Sequence, residues 1–429
     1  MRGPNTTSST SRTDEAAPNW PVLVLTFVAV VLDGYDTIAL GLSVPALAKD
    51  WDVAPSHFTP ALSLTSVGVA LGYLACGRIV ARFGARRVVL AAVVVFTVGS
   101  LLTAFASTIT ELTALRVLTG LGLGAVLPAA VSHATALNPA RLRQSIAVFV
   151  TMGISLGALI AGVLGTRLIG AFGWESVFLV GAAASAVLLP LLWIGLPDGR
   201  AAVGEPAPAA AATASAVREA SVARLFDPGL RSRTLLLWGF SFLMFTVYYV
   251  FSSWLPTLLT SYGFSAGLAP LGSAALGVGS IVGAAVLMIG ALRFRMSSVL
   301  LVTTSLAIVF LVVSAFLGPD KVLLLIVFGG VGLGIQAGMI GQTALSVSMY
   351  PQGTATTAVG WSASMGRLGS VVGPVVGGAL IGLGVPTGTI VLVACVPVLA
   401  ALVLIAVLGW ITAPKTLSKS APPAVPAGR

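Results

Sequence analysis

VVLDGYDTIALGL, residues 30–42, lies inside an apolar run long enough to cross a bilayer, yet it carries two carboxylates, Asp33 and Asp36. On insertion scales an acid at the centre of a spanning helix costs roughly 2.5–3.5 kcal/mol, so the pair costs roughly 5–7 kcal/mol. A span that keeps both needs a reason, and the rest of the chain narrows it.

The 429 residues are 57% hydrophobic and only 8% charged, with a mean hydropathy of +1.03. No water-soluble domain has enough core to hide so much apolar surface. Apolar runs of about twenty residues recur along the chain, as in a polytopic helical membrane protein. The net charge of +10 does not point to nucleic acid, because the basic residues sit in short loops between the runs. Cys76 and Cys395 fall in distant apolar runs, where packing is their expected role, so neither a disulfide nor a metal site is expected.

Twelve spans are predicted: 20–43, 58–79, 87–107, 110–136, 144–168 and 174–196, then 234–259, 267–291, 297–318, 321–347, 354–382 and 386–411. The expected class is an all-α polytopic membrane protein with two six-helix halves, 20–196 and 234–411. Residues 1–19 form a polar, Ser/Thr-rich tail without a signal-peptide pattern, and 412–429 form a second tail. Residues 197–233 hold the low-complexity stretch EPAPAAAATASAVREA and are expected to be a linker outside the membrane. Such a layout suits a secondary transporter.

Arginines set the expected orientation. Arg78, Arg82, Arg86 and Arg87 follow span 2, Arg141 and Arg143 follow span 4, and Arg293 and Arg295 follow span 8. The linker adds Arg200, Arg218, Arg224, Arg231 and Arg233, whereas the alternate loops hold few basic residues. The positive-inside rule places both termini and the linker in the cytoplasm.

Among the thirteen acidic residues, only Asp33 and Asp36 lie well inside a span; the deep basic residues are chiefly Arg116 and Arg367. At a rise of about 1.5 Å per residue, Asp33 and Arg367 lie about 20 Å from the cytoplasmic ends of their spans. Arg116 lies about 9 Å in from the opposite side, a similar level. Charges at one depth on helices of both halves are what a central cavity needs. Asp33 and Asp36, at i and i+3, share a helical face, and two carboxylates so close do not both ionise easily, so one is expected to take up and release protons. Gly34 between them is expected to loosen the helix. The plainer alternative is an Asp–Arg pair that only fixes helix packing, and for Arg116 it weighs as much as a functional role.

Several stretches together carry a family resemblance. DGYDTIALGLSVPAL (33–47) resembles the first span of the aromatic acid:proton symporters of the major facilitator superfamily, and RVLTGLGLGAVLPAAV (116–131) resembles their fourth. TLLLWGFSFLMFTVYYVFSSWLPTLL (234–259) is similar to their seventh, GWSASMGRLGSVVGPVVGG (360–378) to their eleventh, and GWESVFLVGA with LLPLLWIGLPD to their sixth. The GLGLG element follows no strand, so it does not indicate a dinucleotide site.

The resemblance implies a major facilitator fold and proton-coupled uptake of small aromatic carboxylates such as 4-hydroxybenzoate, protocatechuate or benzoate. It assigns proton coupling to Asp33 and Asp36 and a carboxylate partner to Arg367, in keeping with the bidentate fork of a guanidinium. Arg116 is a further candidate. Tyr248 and Trp361 are candidates for the walls around an aromatic ring, and Gln336 for a ring hydroxyl. Each of these three could equally be ordinary packing. The expected partners are the substrate, protons and the lipid bilayer, with no cofactor beyond the proton gradient and no nucleic acid; a monomer is expected.

This chain departs from the family at Ala81, where an acid is usual, at Ala136, where Glu is common, and at Ala355, where Arg is common. The cytoplasmic gate is therefore expected to be less electrostatic, with no unpaired charge left behind. His133 is expected to make a polar or helix-end hydrogen bond in preference to relaying protons. An ATP-driven pump would need a Walker lysine and an enzyme a nucleophile or metal set, and neither is present. A channel is less consistent with two halves and a linker. A transporter of another small organic acid, or an exporter working by proton antiport, remains the alternative.

Overall fold

The computed structural model describes residues 17–198, 222–318 and 320–412. Most of the 197–233 linker, nearly all of the N-tail and all but the first residue of the C-tail thus lie outside the described residues. Among the described residues, twelve helices are long and apolar enough to span a membrane. They are α1 Trp20–Asp50, α2 Thr59–Phe83, α3 Ala85–Thr103, α4 Ile109–Ala136, α5 Arg143–Phe172 and α6 Glu175–Gly195. The second six are α7 Arg231–Ser261, α8 Leu271–Arg293, α9 Met296–Phe316, α10 Lys321–Met349, α11 Gln352–Gly382 and α12 Thr387–Ile411.

Local chemistry sets the helix ends. Asn19 accepts from the Val22 N–H ahead of Pro21, Thr108 accepts from the Glu111 N–H, and Asp320 accepts from the Val322 and Leu323 N–H groups. The largest departure from the predicted spans is α1, which runs seven residues beyond 43 and carries Pro45 inside it. A proline there removes one backbone donor, but the surrounding residues are buried and packing holds the helix through it.

The two halves pack by one plan. In the first, α1 lies against α5 and α6, α2 against α4, and α3 against α4 and α6. In the second, α7 lies against α11 and α12, α8 against α10, and α9 against α10 and α12. Adding six to each helix number converts the first set into the second. The halves then join through α1 with α7, α5 with α8 and α2 with α11, which the same exchange maps onto themselves. Internal repeats of six helices of this kind recur in secondary transporters.

How the halves meet differs along the membrane normal. Away from the termini they touch through backbone: a Cβ at Gly162 of α5 would sit 2.3 Å from the Ala274 nitrogen of α8, and one at Gly41 of α1 would sit 2.9 Å from the Ser252 and Ser253 carbonyls of α7. On the α2/α11 seam, Gly378 closes on Thr59 near the same end, and at mid-depth the Arg367 guanidinium lies 5.2 Å from the Tyr73 ring. One turn further toward the termini on α2, and two turns further on α11, a Cβ at Gly77 or Gly360 would meet nothing within 4 Å. The α2 and α11 helices therefore splay, and the cleft opens toward the termini.

Candidate functional site

The rotation of α1 is fixed by its contact with α5. A Cβ at Gly34 would lie 2.3 Å from the Ile154 carbonyl oxygen, so the glycine allows close helix packing; the expected local loosening is not seen. Tyr35 donates to the Val177 carbonyl of α6 at 2.9 Å. With α1 held on both sides, its two aspartates point to different places.

Asp36 turns into the first half. Its carboxylate accepts from Ser100 Oγ of α3 at 2.5 Å and from Arg116 Nη2 of α4 at 2.7 Å; the same nitrogen also donates to the Asp36 carbonyl at 3.3 Å. Arg116 is fully buried and its guanidinium lies 5.5 Å from the Phe178 ring of α6. Its Nε and Nη1 have no partner among the described residues. The unit joins α1, α3, α4 and α6 and does not line the cleft between the halves.

Asp33, about 60° around the helix from Asp36, faces the second half. It accepts from Thr37 Oγ1 at 3.4 Å and lies within Coulombic reach of Arg367 on α11, without a direct ion pair. Only 6% of Asp33 is exposed. The two charges thus sit on opposite halves, close enough to act on each other and without a direct ion pair.

Beside this pair, on the side away from the termini, a narrow cavity opens between the two halves. Leu40, Leu62 and Val69 give it apolar walls, while Thr65, Ser66, Ser252, Ser253 and Ser370 line it with hydroxyls. Thr37, the neighbour of Asp33, and Tyr249 complete the lining. The tyrosine at the cavity is therefore Tyr249, one residue from the predicted Tyr248. Tyr248 lines a smaller adjoining cavity with Ile38, Ala158 and Ser273. A step of 100° per residue puts adjacent tyrosines on different faces, and the sequence alone does not fix which of them looks inward.

The remaining predicted residues are scattered. Trp361 stacks on Trp238 with ring centroids 5.5 Å apart, and Trp238 meets Phe226 edge-on, a cluster toward the termini and outside the cavity. The Gln336 Oε1 is buried without a partner among the described residues. Because Gly334 packs on α9, Gln336, two residues on, turns away from α9. His133 is buried and its Nε2 also lacks a partner among the described residues, so the expected hydrogen bond is not made at that atom. Ala81 and Ala136 are exposed at the terminal ends of α2 and α4, whereas the side chain of Ala355 lies outside the described residues. In the GLGLG element Gly120 and Gly124 seat α4 against α2 at the Thr65 and Val69 carbonyls, and Gly122 seats it against α3.

Two pseudo-symmetric six-helix halves around a polar cleft define a membrane transporter, not an enzyme. Residues 26–367 match the Major Facilitator Superfamily, and the chain belongs to that family. A gallate transporter of Pseudomonas putida is 33% identical over 86% of this chain and 87% of its own length. The 4-hydroxybenzoate transporter PcaK of Pseudomonas aeruginosa is 32% identical over 85% and 87%. A 3-(3-hydroxy-phenyl)propionate transporter of Escherichia coli is 32% identical over 85% and 87%. Among solved structures, a D-xylose-proton symporter superposes with a TM-score of 0.71 at 16% identity, covering 90% of this chain and 97% of its own, which shows the shared fold.

Proposed function

We propose that this protein takes up small aromatic carboxylates such as 4-hydroxybenzoate, protocatechuate or benzoate together with protons, by alternating access. The observation that carries the reading is the placement of Asp33 and Arg367 on opposite halves, beside a cavity with both apolar and hydroxyl walls. The relatives of about one-third identity are transporters of aromatic acids by name. The substrate carboxylate binds Arg367 as a fork, and the ring enters the cavity.

Coupling follows from charge balance. Asp33 and Arg367 are neutral as a pair, and an incoming anion adds one negative charge to a water-poor site. A proton on Asp33 restores neutrality, so the carrier crosses either loaded with both substrate and proton or empty of both. No cofactor is needed beyond the proton gradient. On this reading the protein sits in the cell membrane with both termini and the linker in the cytoplasm, which the arginine-rich loops support. The cleft seen here is then the inward-facing one, and each monomer contains a complete cleft.

Uptake of labelled 4-hydroxybenzoate, protocatechuate and benzoate into proteoliposomes, with and without an inward proton gradient, tests the reading. Accumulation that requires the gradient supports it. Failure to accumulate any of the three would reject the substrate class, and accumulation driven by an outward gradient would replace symport with antiport.

A further inference from the structure

We propose that the cavity beside Asp33 reads ring hydroxyls: Ser66 of the first half and Ser252 and Ser253 of the second hydrogen-bond them, so the transporter prefers hydroxylated aromatic acids to benzoate. The inference rests on the aromatic-acid reading above and makes it narrower.

The argument begins with which hydroxyls are free. Thr65 donates to the Ala61 carbonyl at 2.5 Å and Ser370 to the Arg367 carbonyl at 2.7 Å, so both are satisfied within their own helices. Ser66, Ser252 and Ser253 have no hydrogen-bond partner among the described residues. They are nonetheless buried, at 7%, 6% and 7% exposure. Their hydroxyls open onto the cavity, so three unbonded hydroxyls around one space can each bond an occupant placed there.

Position identifies that occupant. Thr37 lies one turn from Asp33, and Ser370 lies about one turn from Arg367, so the charged pair flanks the cavity on its terminal side. A carboxylate held at Arg367 directs its ring away from the termini, between Leu40, Leu62 and Val69, with its far edge at the serines. A serine hydroxyl both donates and accepts, as a phenolic hydroxyl does, so the two bond in either sense. Benzoate has no hydroxyl to offer and would leave all three serines unpaired. A site built to bond a hydroxyl discriminates against the analogue that lacks it. The site is also shared between halves: Gly41 brings α1 against the carbonyls of Ser252 and Ser253, so the serines from α7 meet Ser66 only when the far side is closed.

The test measures binding of benzoate, 4-hydroxybenzoate and protocatechuate to the purified full-length transporter, for wild type and for Ser66→Ala, Ser252→Ala and Ser253→Ala. Hydroxylated acids should bind wild type at least about tenfold more tightly than benzoate. Each alanine should weaken the hydroxylated acids about three- to tenfold more than it weakens benzoate, as loss of one hydrogen bond does. Retained benzoate binding also shows that each variant is folded, and Ser253→Thr, which keeps the hydroxyl, should retain the preference. Equal affinity for all three acids, or variants that weaken all three alike, would overturn the hydroxyl-reading role while leaving the aromatic-acid function standing. Binding of none of them would overturn both.

Discussion

Arg116 Nη2 lies 2.7 Å from Asp36 Oδ2, and both side chains are almost wholly withdrawn from solvent inside the first half. Removing one partner of such a pair leaves an uncompensated buried charge and costs about 3–5 kcal/mol, whereas replacing both with apolar groups can be nearly neutral. Asp36→Asn and Arg116→Met should each lower the yield and melting temperature of folded protein, and Asp36→Leu with Arg116→Met should recover most of the loss. Thermal unfolding in detergent checks this; a double variant no better than the singles would show that the pair has a role beyond mutual compensation.

Gly162 is where the far side closes, and any side chain there meets the Ala274 backbone. Overpacking of this kind costs about 1–3 kcal/mol, which displaces a two-state equilibrium roughly 5- to 150-fold. The cost falls only on the state in which α5 and α8 touch. Gly162→Val should therefore populate the form open away from the termini. Spin labels at the exposed positions Thr110 and Leu383, one on each half, should show a longer distance in the variant. An unchanged distance would mean that the α5/α8 contact does not separate in transport.

Arg367 is the guanidinium that the cleft leaves without a direct ion pair, between the Tyr73 ring and Asp33. Lysine keeps the charge but loses the two-pronged geometry. Arg367→Lys should raise the KM for an aromatic carboxylate about tenfold or more, on the scale of a hydrogen bond to a charged group. Arg367→Gln should abolish saturable uptake. Equal effects of the two would indicate that charge alone matters at this position.

Trp361 and Tyr249 are expected to differ. Trp361 stacks on Trp238 outside the cavity, so Trp361→Phe should change KM by less than about twofold, as a neutral contact would. Tyr249 lines the cavity, and Tyr249→Ala should raise KM several-fold through lost apolar and aromatic contact. Initial-rate uptake for the two variants checks the ranking, and a larger effect at Trp361 would reverse it.

The helices were legible because the apolar runs are long and most are bounded by Pro, Gly or arginine, and because membrane crossing sets a minimum length for all of them. The end of α1 was less so, since Pro45 marks a boundary in sequence that packing overrides. Charges at mid-depth were legible because they are rare and costly there, which brought out Asp33, Asp36, Arg116 and Arg367. Their division between a packed pair and an open site was not, because it depends on how Gly34 sets the rotation of α1 against α5. Serines at 66, 252 and 253 gave no signal at all: Ser is common in membrane helices, and only the tertiary fold shows which of them lack a partner.

Asp33 is the residue on which proton coupling turns in this account, and its most direct measurement compares two assays in one variant. Wild type and Asp33→Asn would be reconstituted, and both gradient-driven accumulation and counterflow exchange of labelled 4-hydroxybenzoate would be followed. The account predicts that Asp33→Asn loses accumulation but keeps exchange, because a permanently neutral residue 33 carries substrate across without moving a proton. Accumulation by Asp33→Asn at the wild-type level would contradict it and place the proton elsewhere.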